Sequence, residues 1–394
     1  MRAVSASLLA LAALLAAWAT PAAASCSAAN TYNFSFSNQA SATLNYANSY
    51  TYTATTSGGA SENFTASFFT NGLSSTQVAN VQMPAITNTL TTGTGGRTLM
   101  IGGQFSSRTA SISSTTRVIL TTFTFATPIR DLSILVHDID FTSNQYRDWL
   151  MVTGSDGAAT YTPVMTTPFG TSNTTGGTAG SSALTLGPTG TPYNLTNQQA
   201  VGTGDSAATN SNFGDIQISF AQPVTSVTIR YGNYPLTGSE RTTGQQAFGI
   251  SAIGFCPLPS ISMTKTSAPL GTTGTARFDA PGSDVVYTIT VTNSGGSPVD
   301  ASSLILLDTL PAQASFYYGD FDTAQSGTDP FLLTPGTSGV TMSAANVTYS
   351  SNGSTYTYTP AAGYDPNVKG VRFAPQGAMA ANSSFTIKYR VQVK

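Results

Sequence analysis

The segment His137-Asp138-Ile139-Asp140, with Asp148 a little further on, gathers side chains able to do chemistry. Read as a strand end, its period of two puts Asp138 and Asp140 on one face, their carboxylates close enough to repel. The polar stretch before Asp148 adds the amide oxygens of Asn144 and Gln145. Clustered carboxylates with amides nearby suit a hard cation such as Ca²⁺, which takes about six to eight oxygen ligands. Asp138, Asp140 and Asp148 are therefore candidate calcium ligands. The competing reading is a loop in which Arg147 or Arg130 neutralises the acids and the aspartates cap turns. The spacing is not that of an EF-hand.

His137 is the single histidine of the chain, so any histidine-dependent chemistry must run through it. On an alternating strand it points away from Asp138 and Asp140, and the serines are too numerous to single out a nucleophile. A catalytic base needs both a nucleophile and an orienting group, so His137 reads as a strand-end residue with a surface role. Same-face aspartates are weak grounds for glycoside hydrolysis, and the chain has two glutamates in all, Glu62 and Glu240. The expectation is a protein that is not an enzyme, with a secreted hydrolase as the minor alternative. A third candidate site is aromatic. Tyr231, Asn233 and Tyr234 place rings beside an amide, the pairing that stacks on sugar C–H faces and bonds hydroxyls. Tyr46, Tyr50 and Tyr52 lie in a similar Thr/Asn-rich stretch, and ordinary strand packing is the alternative for both sets.

The composition must support whatever positions these residues. Charged residues are 8% of 394, against about 25% in ordinary globular domains. Hydrophobics at 40% still supply a core, so low charge does not imply disorder. A net charge of −2 offers no basic surface for phosphates, which argues against nucleic acid.

Arg2, the apolar run Leu8 to Ala19 and the small residues Ala22 and Ala24 read as a signal peptide over residues 1–24. Export follows, with the mature chain extracellular, at the cell surface or periplasmic. No later run is apolar and long enough to cross a membrane. Acylation of Cys26 is the rival reading of this start. In an exported chain, Cys26 and Cys256 read first as a disulfide joining the first strand of a domain to its last, with two unpaired thiols as the alternative. Pro257-Leu258-Pro259-Ser260 then makes a stiff connector, and no lysine precedes Lys265. The expected organisation is a domain over 25–257, a linker over 258–261 and a second domain over 262–394.

Alternation rather than helical periodicity runs through the first domain: Phe123 with Phe125, and Ile216, Ile218 with Phe220. Gly/Ser-rich stretches such as 170–178 punctuate it into short strands. Phe125-Ala126-Thr127-Pro128-Ile129 is echoed by Phe220-Ala221-Gln222-Pro223-Val224, each read as a strand, a proline-marked turn and a second strand. The expected class is all-β, with a jelly-roll-like β-sandwich here. With its Asp-Ile-Asp segment, this part resembles lectin-like or carbohydrate-binding jelly-roll modules of bacterial surface proteins, which implies a glycan as partner.

The second domain alternates more cleanly. Tyr287, Ile289 and Val291 interleave with threonines up to Asn293-Ser294-Gly295-Gly296. Phe385, Ile387, Tyr389, Val391 and Val393 interleave with polar residues to the last position. About seven strands suit an Ig-like sandwich. Asp308 is read as a loop cap before Pro311. The run Pro281 to Gly295, followed by Leu307-Asp308-Thr309-Leu310-Pro311-Ala312, resembles the bacterial conserved-repeat family called "domain of unknown function eleven". So do Tyr349 to Gly353, Gly363 to Val368 and Pro375-Gln376-Gly377. That resemblance covers about 262–394 and implies an Ig-like module of exported and surface proteins; it supplies no catalytic residues. The family often occurs in tandem arrays, whereas one copy is seen here. The functional expectation is a surface or secreted protein of the binding or adhesion type, with a glycan or surface protein as partner and calcium in support. The alternative is a purely structural scaffold.

Overall fold

The computed structural model describes residues 26, 28–91, 96–167, 185–187, 193–203, 214–235, 244–270, 280–321 and 329–394. The signal-peptide reading over 1–24, most of the Gly/Ser-rich stretches and Glu240 lie outside them. The chain is all-β, built as sandwiches, and every strand pairing within the named sheets is antiparallel.

The alternating apolar residues of the first unit form two sheets facing across one core. The first sheet runs Ser49–Thr55, Ser61–Asn71, the start of Val118–His137, Val224–Asn233, Tyr146–Ser155 and Gln199–Val201. The second runs Val164–Thr166, Ile216–Ser219, the end of Val118–His137 and Gln245–Pro257. The far edge of that last strand is shared by Thr98–Phe105 and Tyr32–Ser35.

Val118–His137 thus belongs to both sheets. Register shifts fall between Thr124 and Ile129 and between Arg130 and Ser133, and Asp131 takes a left-handed φ of 52°. Together they change which face points inward. Thr121, Phe123 and Phe125 are buried before the shifts; Leu132, Ile134 and Val136 are buried after them. Pro128 sits in the irregular stretch, where its missing N–H is tolerated. The echo between Phe125–Ile129 and Phe220–Val224 is therefore not two equivalent hairpins. The first copy lies inside one strand that changes sheets and the second is a true turn, yet Ile129 and Val224 pair directly.

Phe34, Phe64, Phe123, Phe125 and Phe255 meet in the core as edge-on and tilted ring pairs, with centroids 4.9 to 6.2 Å apart. Each fully buried ring contributes on the order of 2 kcal/mol.

Beyond Pro257 the sheets and the core are new. Ile261–Pro269, Asp284–Asn293 and Ser383–Val393 lie side by side, and the outer edge of the last takes Ala314–Tyr318 and Phe331–Thr334. Leu306–Thr309, Gly370–Phe373 and Val347–Ser350 make the facing sheet. Buried Val285, Ile289, Val291, Phe385, Ile387, Tyr389 and Val391 lie on the alternating faces the sequence indicates. The connector 258–261 is tied down at both ends: Leu258 N–H donates to Pro128 O at 2.9 Å and Ser260 N–H to Asn293 Oδ1 at 3.1 Å. Asp308 is not a loop cap. It lies within Leu306–Thr309, where Oδ1 accepts Lys265 Nζ at 2.7 Å and Oδ2 accepts Tyr389 Oη at 2.5 Å.

Candidate functional site: an acid cluster, a polar cleft and a buried histidine

The three predicted calcium ligands gather, though not by strand alternation. The long strand ends at His137, and Asp138 takes a left-handed φ of 68°, which aspartate and asparagine tolerate better than most residues. The turn leaves Asp138 half-buried and Asp140 1% exposed.

Asp148, on Tyr146–Ser155, is fully buried and clasps Asp140. Its N–H donates to Asp140 O at 3.0 Å, and Asp140 N–H donates to Asp148 Oδ2 at 3.1 Å. Asp148 Oδ1 accepts the Tyr231 hydroxyl and, at 3.2 Å, Gln246 Nε2. Tyr146 Oη donates to Asp140 Oδ1 at 3.2 Å. The backbones close tightly around this clasp, since a Cβ on Gly202 would stand 1.8 Å from Asp140 O. Only glycine fits there.

The fourth carboxylate, Asp215, carries no local signal in the sequence. It is 1% exposed and precedes Ile216–Ser219. Burial pushes the Asp138 carboxyl well above the usual range, and repulsion from Asp140 and then Asp215 adds to that. Burial does the same to Asp148, with Asp140 again the main repelling charge and the Tyr231 hydrogen bond pulling the other way. Among the described residues, no group of three His, Cys, Asp or Glu side chains is arranged to hold a metal ion.

A sign follows for stability. Carboxyls whose folded pKa exceeds the unfolded value stabilise the fold below the unfolded value, and that contribution is lost as pH rises through the folded pKa. Asp138→Asn keeps the shape, suits the left-handed backbone and removes one repelling charge. The variant is expected to melt higher than the parent at pH 8 and close to it at pH 4, read by thermal melts across pH. A variant that melts lower at pH 8 contradicts this electrostatic reading.

Tyr231, Asn233 and Tyr234 are not an exposed sugar platform, which corrects the expectation for them. They are 0%, 3% and 9% exposed. Val224–Asn233 is an inner strand, flanked by Val118–His137 and Tyr146–Ser155, and its Tyr231 points into the core between the sheets. Tyr231 packs on Phe105 and Phe248, and Tyr234 packs edge-on to Trp149 with centroids 4.8 Å apart. Asn233 Oδ1 accepts Arg147 N–H at 3.0 Å. The Arg147 guanidinium lies 3.9 Å over the Phe141 ring and donates to Gly202 O at 2.7 Å.

An open surface of the right chemistry lies elsewhere. A cleft of about 560 Å³ sits where Tyr32–Ser35, the end of Ser49–Thr55, Val118–His137 and Gln245–Pro257 converge. Thr31, Asn33, Asn38, Thr56, Asp131 and Ser133 line it, while the Phe34 ring turns to the opposite face of its strand and packs on Phe64 in the core. Its volume lies within the range of about 300–1,000 Å³ usual for small-ligand sites. The Cys26 N–H donates to Asp131 Oδ2 at 2.6 Å, and the Cys26–Cys256 disulfide pins that segment beside the cleft. Asn, Ser and Thr recur along the whole first unit, so no spacing marked these residues out.

His137 is not a surface residue either. The register shifts turn it onto the outer face of the second sheet, yet it is 2% exposed. Its Nδ1 is 2.8 Å from Asp215 Oδ2, a close contact lying off the N–H axis, and its Nε2 is 2.6 Å from Ser251 Oγ.

No family model matches the chain, and no curated protein matches it. Among solved structures, one match is a crystal structure from Corynebacterium diphtheriae described as that of a membrane-anchored protein. It is 8% identical, spans 88% of this chain and 89% of that one, and has a TM-score of 0.14, too low to carry an argument. Among the described residues no helix is long and apolar enough to cross a membrane, and the disulfide is of the kind exported proteins carry.

Proposed function

We propose that this chain is an exported surface or secreted protein that binds glycans through the cleft of its first sandwich, with the second, Ig-like sandwich as a spacer or assembly module. The observation that carries the reading is the lining of the cleft. Amide, hydroxyl and carboxylate groups converge over about 560 Å³, the polar mixture that bonds sugar hydroxyls. Asn33 and Ser133, both exposed and both on strands, are the residues to change. Asn33→Ala with Ser133→Ala is expected to weaken binding of any glycan retained by the parent at least tenfold, in titration calorimetry, with the melting temperature held within about 2 °C. Unchanged affinity in a folded double variant removes the cleft from the account.

Calcium enters the proposal as a supporting ion at Asp138, Asp140 and Asp148, whose side chains would have to turn to form a site; its charge would offset the repulsion from Asp140 that adds to burial in raising the Asp138 and Asp148 carboxyls. Addition of calcium is then expected to raise the melting temperature of the parent and not of Asp138→Asn with Asp140→Asn. A parent that melts identically in calcium and in chelator removes the ion.

A further inference from the structure

We infer that Ser251, His137 and Asp215 form an acyl-transfer site, with Ser251 as nucleophile, His137 as its base and Asp215 as the group that positions the imidazole. The inference stands on different residues from the glycan cleft and does not need that reading to hold. Each partner comes from a different strand or strand end of the second sheet: His137 closes Val118–His137, Ser251 lies in Gln245–Pro257, and Asp215 stands just ahead of Ile216–Ser219. Sheet pairing brings them together across 114 residues in the case of Ser251.

The backbone at Ser251 is unusual. Leu135 pairs with Ala252 and Val136 with Ile250, so the register passes over Ser251 on that edge. On the other edge Ser251 falls at the junction between two partner strands, Ile250 pairing with Leu99 and Ala252 with Ser35. A residue added in this way is a bulge, the device by which a strand re-aims one side chain, and bulges are enriched beside active sites. Here it aims Ser251 Oγ at His137 Nε2, 2.6 Å away.

On the far side of the ring, Asp215 Oδ2 lies 2.8 Å from Nδ1. A carboxylate there holds the ring proton on Nδ1, which leaves Nε2 free to accept the serine proton. The contact is short but off the N–H axis, as such bonds often are before substrate binds.

The chemistry balances with water as the only co-reactant. Ser251 Oγ attacks the carbonyl carbon of an ester, and its proton passes to His137 Nε2. The carbon–oxygen bond to the alcohol breaks as that proton moves to the departing oxygen. Water then attacks the acyl-serine, gives its proton to His137, and the carboxylic acid leaves as the proton returns to Ser251. Ser251, His137 and Asp215 are 5%, 2% and 1% exposed. Beside them, a Cβ on Gly249 would meet Leu90 Cδ2 at 2.8 Å, so that flank is closed. Enclosure of this kind limits the substrate class to an ester of a short carboxylic acid, such as acetate.

The test uses the full chain with its disulfide intact. The parent is expected to hydrolyse p-nitrophenyl acetate and to be labelled by diisopropyl fluorophosphate, with the phosphoryl adduct located on Ser251 by peptide mass spectrometry. Ser251→Ala is expected to abolish the label and cut turnover about a hundredfold or more while keeping its melting temperature. Asp215→Asn, if it acts by positioning His137, slows labelling about as strongly and alters its pH profile without unfolding the chain. A folded parent that takes no label, or a label on another residue, overturns the assignment. So does a Ser251→Ala protein with undiminished turnover. A blank glycan array leaves it untouched, which keeps the two proposals separable.

Discussion

Opening the Cys26–Cys256 disulfide is expected to cost the first sandwich several kcal/mol of stability. The bridge spans 230 residues, and restricting the unfolded chain over a loop of that length contributes at most about 5 kcal/mol. The folded side adds to this locally. Cys256 pairs with Arg130, and the Cys26 N–H reaches Asp131, so the bridge holds the N-terminal segment against the strand that changes sheets. The second sandwich has its own sheets and its own core, from Val285 to Val391. Thermal unfolding followed by calorimetry should therefore show two transitions, of which reductant, or Cys26→Ala with Cys256→Ala, lowers only one. If both transitions fall together, the two units are not energetically separate as their cores indicate; if neither moves, the bridge does not stabilise the first sandwich.

Asp148→Ala is expected to cost about 3–5 kcal/mol, in the same transition that the disulfide supports. The loss does not come from charge attraction, since the neighbouring acids repel Asp148. It comes from orphaned donors. The Tyr231 hydroxyl, Gln246 Nε2 and the Asp140 N–H all end on this carboxylate, in a site where Tyr231 and Asp148 are fully buried. Each buried donor left without an acceptor costs about 1–3 kcal/mol, and their sum is reduced because they share one site. Asp138→Asn, by contrast, removes repulsion at a half-buried position and is expected to stabilise at pH 8. The pair of variants separates a carboxylate that satisfies donors from one that only adds charge. Equal destabilisation in both, measured by chemical denaturation at pH 8, would contradict that division.

Much of the architecture was legible because strand alternation is a local signal. Phe385, Ile387, Tyr389 and Val391 could be assigned inward by counting in twos, and they are buried. The two cysteines could be paired from compartment and spacing, and they are bonded. Where the count failed, a non-local contact had intervened. Two register shifts in Val118–His137 invert its inward face, and the left-handed turn at Asp138 ends the alternation on which the same-face argument rested. Tyr231 looked available because its strand was read alone. Its ring faces the core, where Phe105 and Phe248, distant in sequence, pack over it. The histidine shows the same limit most plainly. Neither Ser251 nor Asp215 has a local pattern, and only sheet pairing brings them to the one imidazole of the chain.

Glycan binding at the polar cleft of the first sandwich can be read on a glycan array. The protein over residues 25–394, with its disulfide intact, would be applied in calcium and again in chelator, alongside the Asn33→Ala, Ser133→Ala variant. The parent is expected to give hits that calcium strengthens and that the double variant loses. A blank array for the folded parent under both conditions contradicts it, and would leave the two sandwiches as structural spacers whose partners are proteins.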